Sequence, residues 1–228
     1  MEKEISKLLV VLTGSLGDVV RGMCVVDQLK RQFPTLHVSW VIDDKWSGVL
    51  SLHDQIDRVI VFERKRGWRG AIKLWRELRD LDFDVTLDLQ RHFKSGLISL
   101  SSGAKRRIGF HRKNCKEFNY LFNNDQIEFY PDNFPKILHY LKFLEHLGCT
   151  IDFELSFGFE KLDPNAALAP ELLDFQLPAI GIVLGSSWES KDWLPQGYYD
   201  LILKLSREAG HTIVLLGNHS KKDLSDSL

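Results

Sequence analysis

Apolar runs and helical stripes alternate along the first 150 residues. Residues 8–13 (LLVVLT) form a continuous apolar run that stops at Gly14, the pattern of a strand covered on both faces. Val19, Met23, Val26 and Leu29 then recur at spacings of 4, 3 and 3, one face of a helix that must end before Pro34. Residues 37–42, 58–62 and 84–89 repeat the apolar run, and Ala71, Trp75 and Leu78 mark a helix between the last two. Residues 108–110 predict a fifth strand and 135–147 a long helix. Strands alternating with helices imply parallel pairing in a doubly wound α/β sheet of Rossmann-like type.

Residues 160–178 (EKLDPNAALAPELLDFQLP) hold three of the seven prolines and break this pattern. It restarts with a strand at 179–184, a helix marked by Tyr198, Ile202, Leu205 and Ala209, a strand at 212–216 and the beginning of a helix from 220. The expected organisation is a domain over 1–160, a linker over 161–178, and the start of a second Rossmann-like domain over 179–228. Two strands and their helices bury too little surface to enclose a core of their own, so this second domain reads as incomplete.

Composition narrows the function classes. With 44% hydrophobic and 27% charged residues the chain is globular, and 30 Lys+Arg against 31 Asp+Glu leave no overall basic field for nucleic acid. The three cysteines form no CxxC pair, as expected of free thiols in a reducing cytoplasm. No apolar stretch approaches the roughly 20 residues of a membrane span, which leaves only peripheral membrane contact. Charge is concentrated locally: residues 105–116 carry six Lys/Arg and no acid, and residues 64–79 carry seven against Glu77 alone. Such stretches suit a phosphorylated or carboxylated substrate or an anionic membrane surface, with an ordinary solvated face as the plain alternative.

Two loops carry candidate chemistry. Gly14 and Gly17 in Thr13-Gly14-Ser15-Leu16-Gly17-Asp18 let the backbone turn tightly between strand and helix. The GxxG spacing matches neither the dinucleotide GxGxxG nor the phosphate-binding GxxxxGK[ST] motif. Asp18 falls at the helix start, where the macrodipole favours its carboxylate; it either serves as a general base or simply favours the helix's first turn. Ser186, Ser187 and Lys191 occupy the corresponding loop of the second half, where hydroxyls, N–H groups and an ammonium can meet a phosphate. His92, His111, His139 and His146 show no metal-ligand spacing, so no metal is expected.

Together these residues resemble the lipopolysaccharide heptosyltransferases, glycosyltransferase family 9. The resemblance rests on residues 14–20 (GSLGDVV) after the first strand and on Gly185-Ser186-Ser187 followed by Lys191-Asp192-Trp193-Leu194-Pro195. Leu194 interrupts the family's usual Lys-x-Trp-Pro. Residues 84–90, Lys94-Ser95 and 107–110 fit the family's order of segments. The resemblance implies a GT-B architecture of two Rossmann-like domains and inverting, metal-independent transfer of a heptose or related sugar. The donor would be an ADP-sugar such as ADP-heptose, with no cofactor besides, and the acceptor the lipopolysaccharide core or another glycan. It implies Asp18 as base, Ser186, Ser187 and Lys191 at the donor phosphate, and Gly17 beside the acceptor. Arg106 and Arg107 are assigned to the anionic acceptor on charge. The family's Asp-Ser/Thr-Gly-x-x-His-Leu segment does not occur in the chain, so an inactive fragment is expected, working in the cytoplasm or at the cytoplasmic face of the inner membrane. Two other readings remain at this stage: a non-catalytic module binding an anionic glycan or membrane surface, and a Rossmann dehydrogenase with Asp43 or Asp44 at the ribose.

Overall fold

A computed structural model describes residues 5–131, 133–159, 179–186, 189–209, 211–217 and 219–228. The chain divides into two units, Met1–Leu162 and Asp163–Leu228. The expected linker over 161–178 lies outside the described residues.

The first unit is built on six strands: β1 (Lys7–Val11), β2 (His37–Asp43), β3 (Arg58–Phe62), β4 (Val85–Asp88), β5 (Arg106–Gly109) and β6 (Asp125–Gln126). Their order is β3-β2-β1-β4-β5-β6, and every pairing is parallel. Val10 of β1 lies between Trp40 of β2 and Leu87 of β4. The helices are α1 (Leu16–Gln32), the single turn α2 (Ser47–Leu50), α3 (Gly67–Asp80), α4 (Phe93–Ser101) and α5 (Lys136–His146).

Alternate residues of β1 feed two cores. Leu8 and Val10 pack with Val19, Met23 and Val26 of α1 and Phe143 and Leu144 of α5. Leu9 and Val11 pack with Leu74 and Leu78 of α3 and Ile98 of α4. This two-sided burial is why β1 reads as unbroken apolar sequence. Gly22 lets α1 close onto the sheet, since a Cβ there would lie 2.7 Å from Leu12 Cδ2 and 3.1 Å from Trp40 Cη2.

One helix faces differently from its expected stripe. The buried positions of α3 are Gly70, Leu74 and Leu78, while Ala71 and Trp75 are exposed. Gly70 rests against the Glu63 backbone, where a Cβ would come within 2.6 Å of the carbonyl oxygen. That close seat turns the helix so that its tryptophans point outward.

In the second unit, β7 (Ala179–Val183) pairs in parallel with β8 (Thr212–Leu216), joined by α6 (Pro195–Ala209) and followed by α7 (Lys222–Ser227). Ile182, Leu184 and Tyr198 form its small buried core.

Candidate active site

The chain leaves β1 toward β2 on one side, whereas β4 leads to β5 on the other. Ligands of doubly wound sheets bind beyond the carboxyl ends of strands at such a switch point. A cavity of about 1070 Å³ lies there, lined by residues 13–15 after β1, 43–46 after β2, Arg64 and Lys65 after β3, and 89–92 after β4. Asp18 of α1, Lys116, and Lys136 and Tyr140 of α5 complete the wall.

Gln90 ties the β1–α1 turn to the loop after β4. Its Oε1 accepts from Thr13 N at 3.0 Å and Thr13 Oγ1 at 2.7 Å, and its Nε2 donates to Gly14 O at 2.9 Å. Gly14 then passes close to Trp46, whose Nε1 would stand 2.9 Å from a Cβ at that position.

Asp18 stands on the first turn of α1, its side chain 28% exposed. Arg21 Nη2 donates to Oδ1 at 2.6 Å, Ser15 Oγ to Oδ2 at 3.0 Å, and the Tyr140 hydroxyl to Oδ1 at 3.3 Å. Burial alone would raise the Asp18 carboxyl, but hydrogen bonds from Arg21 and Ser15 and the charges of Arg21 and Lys136 outweigh it and hold it below the usual range. Asp18 is therefore ionised at neutral pH, with acceptor capacity left on Oδ2. Burial, followed by the Asp18 charge, pushes the Tyr140 hydroxyl up, so it stays a donor.

The wall is rich in cations. Lys45, Arg64, Lys65, Arg91, Lys116 and Lys136 face it, against Asp18, Asp43 and Asp44. An anionic ligand suits this balance. Beneath the floor Asp88 is buried, accepting from Asn119 Nδ2 at 2.6 Å, Asn123 Nδ2 at 3.1 Å and Gln90 N at 3.1 Å. Among the described residues no group of three or more His, Cys, Asp or Glu side chains is placed to hold a metal ion.

The structure does not bring all the expected residues together. Asp18 lines the cavity; Gly17 does not. A Cβ on Gly17 would sit 3.5 Å from Arg21 Nη1, an ordinary contact with the arginine that holds Asp18. Arg106 and Arg107 open β5 at its amino end, whereas the cavity is lined by loops that follow the carboxyl ends of strands. Arg106 Nε is bound to Asp125 at 2.7 Å, while Arg107 donates to Phe122 O at 3.0 Å and Ala104 O at 2.8 Å. Both guanidiniums fasten the chain around β5 and β6, and neither lines the cavity.

In the second unit, Gly185 adopts φ +68°, and a Cβ there would come within 2.5 Å of Lys221 Cε. Its N–H donates to the Tyr198 hydroxyl at 2.9 Å, and Ser186 N donates to Asp192 Oδ1 at 2.5 Å. Asp192 also pairs with Lys221. Lys191 is exposed on the short turn Glu189–Lys191, and Ser187 lies outside the described residues. Sequence reasoning missed Gln90, Arg21 and Tyr140 at the first site. Only Arg21, one helical turn from Asp18, carried a local signal.

The sequence pattern of glycosyltransferase family 9 (heptosyltransferase) matches residues 71–226. The lipopolysaccharide core heptosyltransferase OpsX of Haemophilus influenzae is 27% identical over 95% of this chain and 61% of its own length. Lipopolysaccharide heptosyltransferase 1 of Pseudomonas aeruginosa is 25% identical over 92% of this chain and 60% of its own length. The chain thus spans about three fifths of these relatives. The same fold recurs in E. coli heptosyltransferase WaaC with ADP, at TM-score 0.77 and 20% identity over 97% of this chain and 70% of that one. It recurs also in the family 9 glycosyl transferase of Veillonella parvula, at TM-score 0.80 and 20% identity over 100% of this chain and 67% of that one. By fold the chain is α/β of the GT-B type, and by sequence it belongs to glycosyltransferase family 9, the heptosyltransferases.

Proposed function

We propose that the protein transfers a heptose from ADP-heptose to the core of lipopolysaccharide, by a single inverting displacement that uses no metal ion. The observation that carries this reading is the half-buried, ionised Asp18 on the wall of a cation-rich cavity at the switch point of the first sheet. OpsX and the other curated relatives are lipopolysaccharide heptosyltransferases, and WaaC has been solved with ADP and with ADP-2-deoxy-2-fluoro heptose. Those names supply the donor and acceptor classes of the proposal.

The acceptor occupies the cavity of the first unit, its anionic groups met by cations such as Lys45, Arg91 and Lys136. A sugar hydroxyl is a poor nucleophile at neutral pH. Asp18 Oδ2 takes its proton as the hydroxyl oxygen attacks the anomeric carbon. The bond from that carbon to the diphosphate oxygen breaks on the opposite face, and its electron pair leaves with ADP. Arg21 and Tyr140 aim the carboxylate, and Arg21 keeps it ionised until the proton arrives. Negative charge grows on the departing diphosphate, and Lys191, with the hydroxyls of Ser186 and Ser187, is assigned to meet it in place of a metal.

Incubation of the whole protein with ADP-heptose and a deacylated core acceptor tests the reading. The expected product carries one added heptose of inverted anomeric configuration, with ADP released at a rate that EDTA leaves unchanged. A retained configuration overturns the single displacement. Loss of activity in EDTA, restored by magnesium, overturns the assignment of Lys191. Acceptor binding with no transfer favours a non-catalytic glycan-binding module.

A further inference from the structure

Helices α3 and α4 cover the same face of the first sheet, and each carries an apolar line left exposed among the described residues. On α3 the line is Trp68, Ile72 and Trp75, exposed by 69%, 39% and 47%; on α4 it is Phe93, Leu97 and Leu100, exposed by 46%, 42% and 42%. Both follow the i, i+4, i+7 spacing that stacks side chains along one helix face. Both are turned away from the positions that bury into the sheet, such as Leu74 on α3 and Ile98 on α4. Six large apolar residues on two adjacent helices are more than the single exposures ordinary on a soluble surface.

The charge around these lines is predominantly positive, Glu117 at the start of α4 being bound to Phe93 N and His92. Arg69 and Arg76 run along α3 beside the tryptophans, the Arg69 guanidinium 5.4 Å from the Trp68 ring centroid. Neither pairs with a carboxylate among the described residues; Glu63 is taken by Arg66 and Lys73, and Glu77 by Arg58. Lys94, on the first turn of α4, lies 4.3 Å over the Phe62 ring. Burial and the neighbouring Arg64 charge, only partly offset by Asp43, hold its ammonium below the usual lysine range.

We infer that the outer face of α3 and α4 docks on the surface of an anionic lipid bilayer, with Trp68 and Trp75 inserted at headgroup depth. Interfacial tryptophans next to uncompensated arginines are the combination such a surface recognises. Charge complementarity selects it over a second copy of this chain, whose same face would bring cations against cations. Arg64 and Lys65 before α3, and His92 before α4, line the candidate active site. Docking by these helices therefore sets the cavity rim beside the membrane, within reach of an acceptor anchored there. The surface is independent of the transfer chemistry and stands or falls separately from it.

The whole protein is sedimented with phosphatidylcholine vesicles and with vesicles in which about a third of the lipid is phosphatidylglycerol. Partition is expected to be at least tenfold stronger on the anionic vesicles and to fall steeply in high salt. The double variant W68S/W75S is expected to lose at least tenfold of that partition, keep the wild-type melting profile, and still act on a soluble deacylated acceptor. Phe153→Ser, an equally exposed aromatic away from both helices, is expected to change nothing. Equal partition on the two vesicle types, or partition that W68S/W75S leaves intact, overturns the inference. So does a dimer in analytical ultracentrifugation that W68S/W75S dissolves, because the face would then belong to a second copy.

Discussion

Replacing Gln90 by alanine removes three hydrogen bonds at once, two from Thr13 and one to Gly14. A typical net contribution is about 1 kcal/mol per bond, so the expected loss is about 3 kcal/mol, carried by the turn that positions Ser15 and Asp18. In a unit of this size that lowers the melting temperature by roughly 6–12 °C. Thr13→Val, which removes only the hydroxyl bond, should cost about 1 kcal/mol. Because that bond is absent from Gln90→Ala, the double variant should be less destabilised than the sum, by about 1 kcal/mol. Urea unfolding of the four proteins measures the cycle, and amide exchange over residues 13–18 reports where the structure loosens. A loss below about 0.5 kcal/mol for Gln90→Ala, or strict additivity in the double variant, refutes the clamp.

Three further outcomes follow from charge. Arg21→Gln removes the main partner that holds Asp18 ionised, so the acid limb of the pH profile of kcat/KM should move to higher pH; an unmoved limb contradicts the pairing. Burial pushes the Asp88 carboxyl up to about 6 against its hydrogen bonds to Asn119 and Asn123. The folded state therefore binds this proton more tightly than the unfolded one, and stability should fall between pH about 4 and about 6, by at most about 3 kcal/mol. Asp88→Asn should flatten that slope in urea titrations, whereas the depressed carboxyls of Asp18, Asp57 and Asp125 lose their contribution only below pH about 4. If Lys191 meets the leaving diphosphate as proposed, Lys191→Ala should lower kcat about 100-fold with little change in KM; a change confined to KM would make Lys191 a ground-state contact.

The sheet was legible because its strands are buried on both faces, which leaves unbroken apolar runs such as residues 8–13. The β1–α1 turn was legible through Gly14 and through Asp18 at the helix start. Other features depend on contacts that no local pattern encodes. Tyr140 reaches Asp18 across 122 positions of chain, and Gln90 meets Thr13 across 77. Arg106 and Arg107 read as ligand-binding charge, and their partners could not be seen in sequence: the short strand β6 brings Asp125 beside Arg106. The outward turn of Trp75 was hidden for a similar reason. The positions 71, 75 and 78 compete with 70, 74 and 78, and the close seat of Gly70 on Glu63 decides between them.

The account rests on Asp18 taking the proton of the attacking hydroxyl. Single-turnover transfer by Asp18→Asn, with ADP-heptose bound at saturation, tests this most directly. The variant keeps the side chain's shape and its contacts with Arg21, Ser15 and Tyr140 in altered form, but it removes the basic oxygen. A fall of about 10²- to 10⁴-fold in the transfer step, with melting temperature and donor affinity near wild type, is the predicted result. A transfer rate within threefold of wild type contradicts the account.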